Sequence, residues 1–326
     1  MTCLLPDAST RRHLWQTAAG AVLAATLSAC GGGGGDQINS PDTAARISSA
    51  AVSIEVQFQA TVDNTPIQCG QAIPDLGSTQ ASGRLTDFRF YVSEVFLLRD
   101  DGQQIPMTLA TNSAWQYTAS NGDSVTLIDL EDGSSHCAIE GSSDTNALLK
   151  GSVPAGRYVG LRMTLGVPHS LNHTDTSKVA APLDSMAMGW SWQAGRKFAK
   201  IEVTEATPGT WPVISDTFYV HLGSTGCTGN AGLGTVSCSR PNRGILHFAA
   251  FDPRTQKIAV DLRALLAGTD VTINQSSAGG CMSAATDADC LHVFEALAID
   301  WRSDGTGTGL PVNDGRDQTV FKVVSK

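Results

Sequence analysis

Charge is scarce in this chain. Only 16% of its 326 residues are Asp, Glu, Lys or Arg, and basic side chains number 22 against 31 acidic ones. An acidic balance leaves no basic patch for nucleic acid or anionic lipid; it suits a cation or a basic protein surface instead. Aromatic residues are few, at 6%. The weakly apolar stretch from Ala18 to Leu27 is too short and too rich in Ala and Thr to span a bilayer permanently. The usual catalytic signatures are missing: no G-x-S-x-G elbow, H-E-x-x-H helix, phosphate loop, dinucleotide fingerprint or C-x-x-C-H haem attachment. No C-x-x-C spacing occurs either, which argues against a zinc site or a dithiol redox centre, and no carboxylate pair stands out as acid and base. The chain is therefore not expected to be an enzyme.

What is present begins with an address. Arg11 and Arg12 precede the apolar run, and Leu27-Ser28-Ala29-Cys30 matches a bacterial lipobox. The twin arginines fit a Tat signal without its usual Phe, and Sec export fits as well. Residues 1–29 are expected to be a signal peptide and Cys30 the lipidated mature terminus. Gly31 rather than Asp follows it, which points to the outer membrane, with the protein facing the periplasm or the cell surface. Gly31 to Gly35 and the polar residues to Ala50 form a flexible tether. Cleavage would remove Asp7, Arg11 and Arg12, turning 22 basic and 31 acidic residues into 20 and 30, a net charge of −10.

Six cysteines remain: Cys69, Cys137, Cys227, Cys238, Cys281 and Cys290. An even number in an exported chain reads as disulfides, because the periplasm is oxidising. Many pairings are possible. Short closures favour Cys227–Cys238 and Cys281–Cys290, which leaves Cys69–Cys137.

Period-two alternation dominates the rest. Val52, Ile54, Val56 and Phe58 alternate with polar residues, as expected of a half-buried strand. Similar runs occupy Leu85–Leu98, Thr126–Leu130, Val159–Leu165, Ala199–Val203, Phe218–Leu222, Gly244–Phe251 and Lys257–Val260. Helix is expected only at Asp261–Leu266 and Asp289–Leu297, the latter with Asp287 and Asp289 favouring its N-terminus. With 33 glycines, the pattern predicts an all-β fold. It is an antiparallel β-sandwich with long loops and one or two short helices, disulfide-braced, forming one domain over 51–326.

The densest chemistry lies between Gly166 and Trp192. His169 and His173 occupy a segment broken by Pro168, so a loop is expected that can turn both imidazoles to one point. Met186 and Met188 supply thioethers, which suit Cu(I), although methionine more often fills cores. Trp190 and Trp192 leave the same face if Trp190-Ser191-Trp192 is extended. A buried aromatic pair, a stacking platform for glycans or proline-rich peptides, and a place beside a metal are all open to them. His221 lies opposite Phe218, Val220 and Leu222 on its strand, so it faces solvent or a site. His136 beside Cys137 reads as disulfide packing or solvent; His247 and His292 read as structural. Glu131, Asp132 and Asp144 read as a solvated loop, since no EF-hand spacing is present.

Taken in order, these motifs carry a resemblance. Cys69, Asp87-Phe88-Arg89-Phe90-Tyr91-Val92-Ser93, Leu127-Ile128-Asp129-Leu130, Cys137 and Gly166-Val167-Pro168 come first. Leu171-Asn172-His173, Trp190-Ser191-Trp192, His221-Leu222-Gly223-Ser224-Thr225-Gly226-Cys227, Cys238 and Pro241-Asn242-Arg243 follow. From about Val52 to Leu266 the chain resembles the MbnP family, the four-cysteine members of the metallo-mystery pair, named for methanobactin operons. The resemblance implies an exported copper-binding protein, often a lipoprotein. Its partner would be a di-haem enzyme of the cytochrome c peroxidase type, MbnH, which oxidises a tryptophan of it to kynurenine. The matching positions are His173, His221 and the pair Trp190/Trp192, with Trp192 favoured for conversion. His169 is an additional candidate ligand, and Trp115, Trp211 and Trp301 are less favoured for conversion. The chain departs from the family pattern at Arg196, where the family often has an aromatic, and in the extra pair Cys281–Cys290. Competing readings are a cell-surface glycan- or protein-binding module using Trp190 and Trp192, and a structural surface lipoprotein.

Overall fold

The computed structural model describes residues 50–110, 113–191, 193–211, 216–275 and 279–326. The expected signal peptide, Cys30 and the tether lie outside these residues, and so does Trp192. Residues 49–326 form one compact unit. Among the described residues no helix is long and apolar enough to cross a membrane.

The main strands, in chain order, are β1 (Ala51–Val62), β2 (Ala81–Leu98), β3 (Ser124–Asp129), β4 (Leu148–Pro154), β5 (Gly160–Leu165) and β6 (Gly189–Ser191). They continue with β7 (Gly195–Glu205), β8 (Thr217–Gly223), β9 (Thr225–Thr228), β10 (Ser237–Arg240), β11 (Gly244–Phe248), β12 (Gln256–Asp261) and β13 (Phe321–Ser325). Two sheets face each other. One runs β13–β12–β1–β4; the other runs β6–β7–β2–β5–β11, with β8 on β7 and β3 on β2. The separate ribbon β9–β10 is tied by Cys227–Cys238. The expected antiparallel sandwich is what forms, with one difference: β1 and β12 run parallel. A parallel pair needs a long crossover, and here residues 63–255 lie between the two strands.

The sandwich closes on aromatic and aliphatic side chains from both inner faces. Phe90 of β2 meets Phe58 of β1 and Phe321 of β13 edge to face, with ring centroids 5.5 Å apart in each case. That geometry suits aromatic quadrupoles and adds to the area they bury. The alternation that identified β1 holds where the second sheet covers it, at Val56, Phe58 and Ala60, and fades at Val52, which is 43% exposed.

The two expected helices are present. α2 (Leu262–Leu266) starts at Asp261, whose carboxylate accepts from the Arg263 and Ala264 amides. α3 (Leu291–Ala296) follows a short 3-10 turn capped by Asp287. A further single turn, α1 (His169–Asn172), forms where a loop was expected; chain order places it before these two. Pro168 precedes it in an extended conformation, φ −55° and ψ 144°, with φ fixed by its ring, so the turn starts only after it.

All three disulfides pair as the spacing favoured: Cys69–Cys137, Cys227–Cys238 and Cys281–Cys290. Cys69–Cys137 spans 68 residues and ties the segment around Cys137 against β2, where Cys137 Sγ lies 3.5 Å from the Leu85 carbonyl. Constraining a loop of that length in the unfolded chain stabilises the fold by about 4 kcal/mol. Replacing both cysteines by Ser should lower the urea-unfolding free energy by about that amount. A change under about 1 kcal/mol would mean that other contacts hold this segment.

Candidate metal centre

The five residues from His169 to His173 make one helical turn, so the first and last lie on one face. Their rings meet edge to face with centroids 5.3 Å apart. They open onto a surface cleft of 380 Å³ lined also by Asp175, Lys178, Gly232 and Val236. His169 Nε2 lies 3.1 Å from the Val236 carbonyl. A carbonyl only accepts, so that nitrogen carries the proton and Nδ1 keeps its lone pair. For His173 the neighbour is Asn172. Asn172 Oδ1 accepts from the Arg196 amide at 2.9 Å, which turns its Nδ2 toward His173 Nε2 at 3.2 Å. Nε2 is therefore the acceptor there. The same nitrogen is 3.5 Å from Cys238 Sγ.

A buried guanidinium holds this loop in place. Arg196 is 1% exposed. Its Nη1 donates to the Leu171 and Asn172 carbonyls at 2.7 and 2.8 Å. Its Nε and Nη2 reach the Leu183 carbonyl at 3.0 and 2.7 Å, and Nη2 also reaches Thr174 at 3.2 Å. One planar fork thus fastens both ends of the segment from Leu171 to Leu183 to β7. Arg196 is thus a structural clamp on the histidine loop.

His221 sits elsewhere, near the end of β8, and is 7% exposed. Trp190 of β6 meets its ring edge to face at 6.3 Å, and Tyr219 lies at 5.4 Å. Trp190 is half-buried. It rests on Gly223, where a Cβ would come 2.6 Å from the indole, so glycine is what lets the ring reach this place. Trp190 also lines a groove with Cys227 and Met282, and another with Asn172 and Met186. Of the candidate imidazoles, the one it meets is His221; the cleft that holds His169 and His173 is lined by other residues. Met188, by contrast, is fully buried, whereas Met186 is 78% exposed at the groove rim.

The face of the sheet beneath His221 is polar and yet dry. Asp129, Arg89, Lys200 and His221 stand opposite one another across β3, β2, β7 and β8. In the next row Asp87 stands opposite Glu202, and Glu202 opposite Tyr219. Side chains in register, or two residues apart, share one face. Lys200 Nζ bonds Asp87 at 2.6 Å and Glu202 at 3.1 Å, and Arg89 pairs with Asp87. Glu202 Oε1 bonds His221 Nε2 at 2.6 Å. The segment fixed by Cys69–Cys137 covers this face: the Glu140 carbonyl accepts from Arg89 at 2.7 Å and its carboxylate lies 3.3 Å from Lys200.

These charges shift one another. Burial raises the Glu202 carboxyl, but its bond to His221 and the Lys200 charge outweigh this and hold it below the ordinary range. Burial lowers the His221 imidazole more than Glu202 raises it, so the ring stays neutral near pH 7 and able to ligate. At the far end, burial first and the neighbouring Glu131 second push Asp129 up to about 8. Its Oδ1 is buried without a hydrogen-bond partner.

Other expected residues are dispersed. His136 is exposed beside Ser135, and His247 pairs with Asp314 at 3.0 Å. His292, read as structural, lies at the surface against Glu295. Glu131, read as part of a solvated loop, is fully buried; it accepts from the Gly133 and Ser142 amides at 2.7 and 2.8 Å and so braces that loop. Among the described residues, two groups of three donor side chains lie within 4.8 Å: His173 with Cys227 and Cys238, and Glu131 with Cys69 and Cys137. Disulfides occupy the sulfurs in both, which leaves no thiolate for a metal. Neither group contains His221. Sequence reasoning missed Glu202 and Lys200, because they alternate with Ala199, Ile201 and Val203 as solvent-facing residues would.

The Asp129 shift sets a sign. Asp129 stays protonated in the folded chain to about pH 8, whereas unfolded it ionises near pH ~4. Between these values the folded state holds the extra proton, so this contribution is complete at low pH and lost as pH rises through the window. Asp129→Asn should flatten the decline of the melting temperature between about pH 5 and about pH 9. An equally steep decline in the variant would contradict the assignment.

Comparison with known proteins agrees with this architecture. The family model described as MbnP matches residues 51–283. No curated protein matches the chain. The solved structure of MbnP from Methylosinus trichosporium superposes with a TM-score of 0.74 at 33% identity, covering 84% of this chain and 99% of that one.

Proposed function

The chain belongs to the MbnP family, and from that premise we propose that it is an exported copper-binding lipoprotein. It is the substrate, not the catalyst, of a di-haem partner of the cytochrome c peroxidase type. That partner oxidises one tryptophan of the pair Trp190/Trp192 to kynurenine. Cys30 carries the lipid and anchors the domain to the outer membrane, facing the periplasm or the cell surface.

The donor chemistry supports copper. With all six cysteines of the domain in disulfides, the donor that lies against Trp190 is the His221 imidazole, and imidazole suits copper in either common oxidation state. His173 and His221 would hold the ion, which would have to draw together two imidazoles that no close donor group among the described residues unites; His169 stands one helical turn from His173. Kynurenine formation breaks the indole C2–C3 bond and places an oxygen on each of the two carbons; hydrolysis then releases C2 as formate and leaves an aryl amine and a ketone. The four electrons removed pass through the partner's haems to two equivalents of hydrogen peroxide, the oxidant of a peroxidase-type enzyme. Amine and ketone are donors that tryptophan lacks. The observation that carries the reading is the contact of Trp190 with His221, 6.3 Å between ring centroids: new donors formed there arise beside a neutral imidazole. Trp192, two residues on, is the alternative residue for conversion.

Metal analysis after exposure to Cu(I) should find about one copper per chain. The double substitution His173→Ala/His221→Ala should abolish it. Co-expression with the di-haem partner should change the intact mass by the exchange of one carbon for one oxygen. Copper retained in the double variant would overturn the ligand set, and an unchanged mass would overturn the oxidation.

A further inference from the structure

Glu202 has no place in the ligand set, yet it is the closest polar contact of His221. Its Oε1 lies 2.6 Å from His221 Nε2. Both side chains are nearly sealed, with 3% and 8% of their side-chain surface exposed. An ionised carboxylate accepts hydrogen bonds and cannot donate. Lys200, 3.1 Å from the same oxygen and 3% exposed, supplies the compensating charge that lets Glu202 remain ionised without water. Asp87 holds Lys200 at 2.6 Å, and Arg89 in turn pairs with Asp87. Two acids and two bases thus balance beneath the His221 ring.

We propose that Glu202 is a positioning residue that keeps the proton of His221 on Nε2, so that Nδ1 is the atom offered to a metal. This deepens the copper reading and rests on it for the identity of the ion. A carboxylate behind an imidazole ligand fixes the ring's tautomer and orientation and makes the free nitrogen more basic. The fixed orientation matters here because Trp190 lies edge to face with the same ring. A rotated imidazole would lose both the Glu202 bond and that contact. His169 follows the same logic with a neutral acceptor, the Val236 carbonyl. Asn172 reverses it at His173, where the amide donates to Nε2.

The tautomer is measurable without copper. Long-range proton–nitrogen NMR spectra of the metal-free, full-length chain, with His221→Asn used to assign the signal, should show His221 as a single Nε2–H tautomer. Glu202→Gln, whose amide oxygen still accepts, should preserve that tautomer and bind Cu(I) less than about tenfold more weakly. Glu202→Leu should give a tautomeric mixture and bind Cu(I) about 10- to 100-fold more weakly. An Nδ1–H tautomer in the wild type, or an unchanged tautomer in Glu202→Leu, would overturn the proposal. The wild-type spectrum decides even if the Leu variant fails to fold. Should the wild type show the expected tautomer but bind no Cu(I), the copper reading falls while the role of Glu202 stands.

Discussion

The buried row of charge across four strands constrains more of this molecule than any other feature. Asp87 and Glu202 lie in an almost dry layer and are tolerable only because Lys200 and Arg89 lie between them. Removing one partner from such a layer leaves an uncompensated charge, which costs far more than the pair contributes. The row needs a cover, and the disulfide-tied segment around Cys137 supplies it through Glu140. It also needs an end. That end is His221, whose neutral ring meets the last carboxylate on one side and Trp190 on the other. Sheet register, disulfide and candidate site are in this way parts of one electrostatic arrangement.

Most of the architecture was legible in the sequence, because it depends on local signals. Alternation at Val52, Ile54, Val56 and Phe58 marks a strand whatever it pairs with. Asp261 and Asp287 mark helix starts through hydrogen bonds within two or three residues. Cysteine spacing favoured the right pairs because two of the closures are short, spanning 11 and 9 residues. The parallel pairing of β1 with β12 was not legible. It joins residues about two hundred positions apart, and nothing in either strand distinguishes a parallel neighbour from an antiparallel one.

The site was legible in its donors and not in their supports. His169, His173 and His221 stand out by residue type. Lys200 and Glu202, however, alternate with Ala199, Ile201 and Val203 just as the wet face of a half-exposed strand would. Only the cover formed by a distant segment turns that face into an interior. Arg196 behaves similarly. It looked like a local departure from a family pattern, whereas its guanidinium binds carbonyls from Leu171 to Leu183 and fixes the loop that carries two of the histidines. Supports of this kind come from chain crossings, which residue spacing does not encode.

Imidazole chemistry on a disulfide-locked frame is the claim on which the account turns. X-ray absorption at the copper edge of the copper-loaded chain reads the atoms around the ion directly. The account predicts a first shell of light donors with the outer-shell scattering of two imidazole rings and no cysteine sulfur. A shell dominated by sulfur, or one without imidazole scattering, would contradict it.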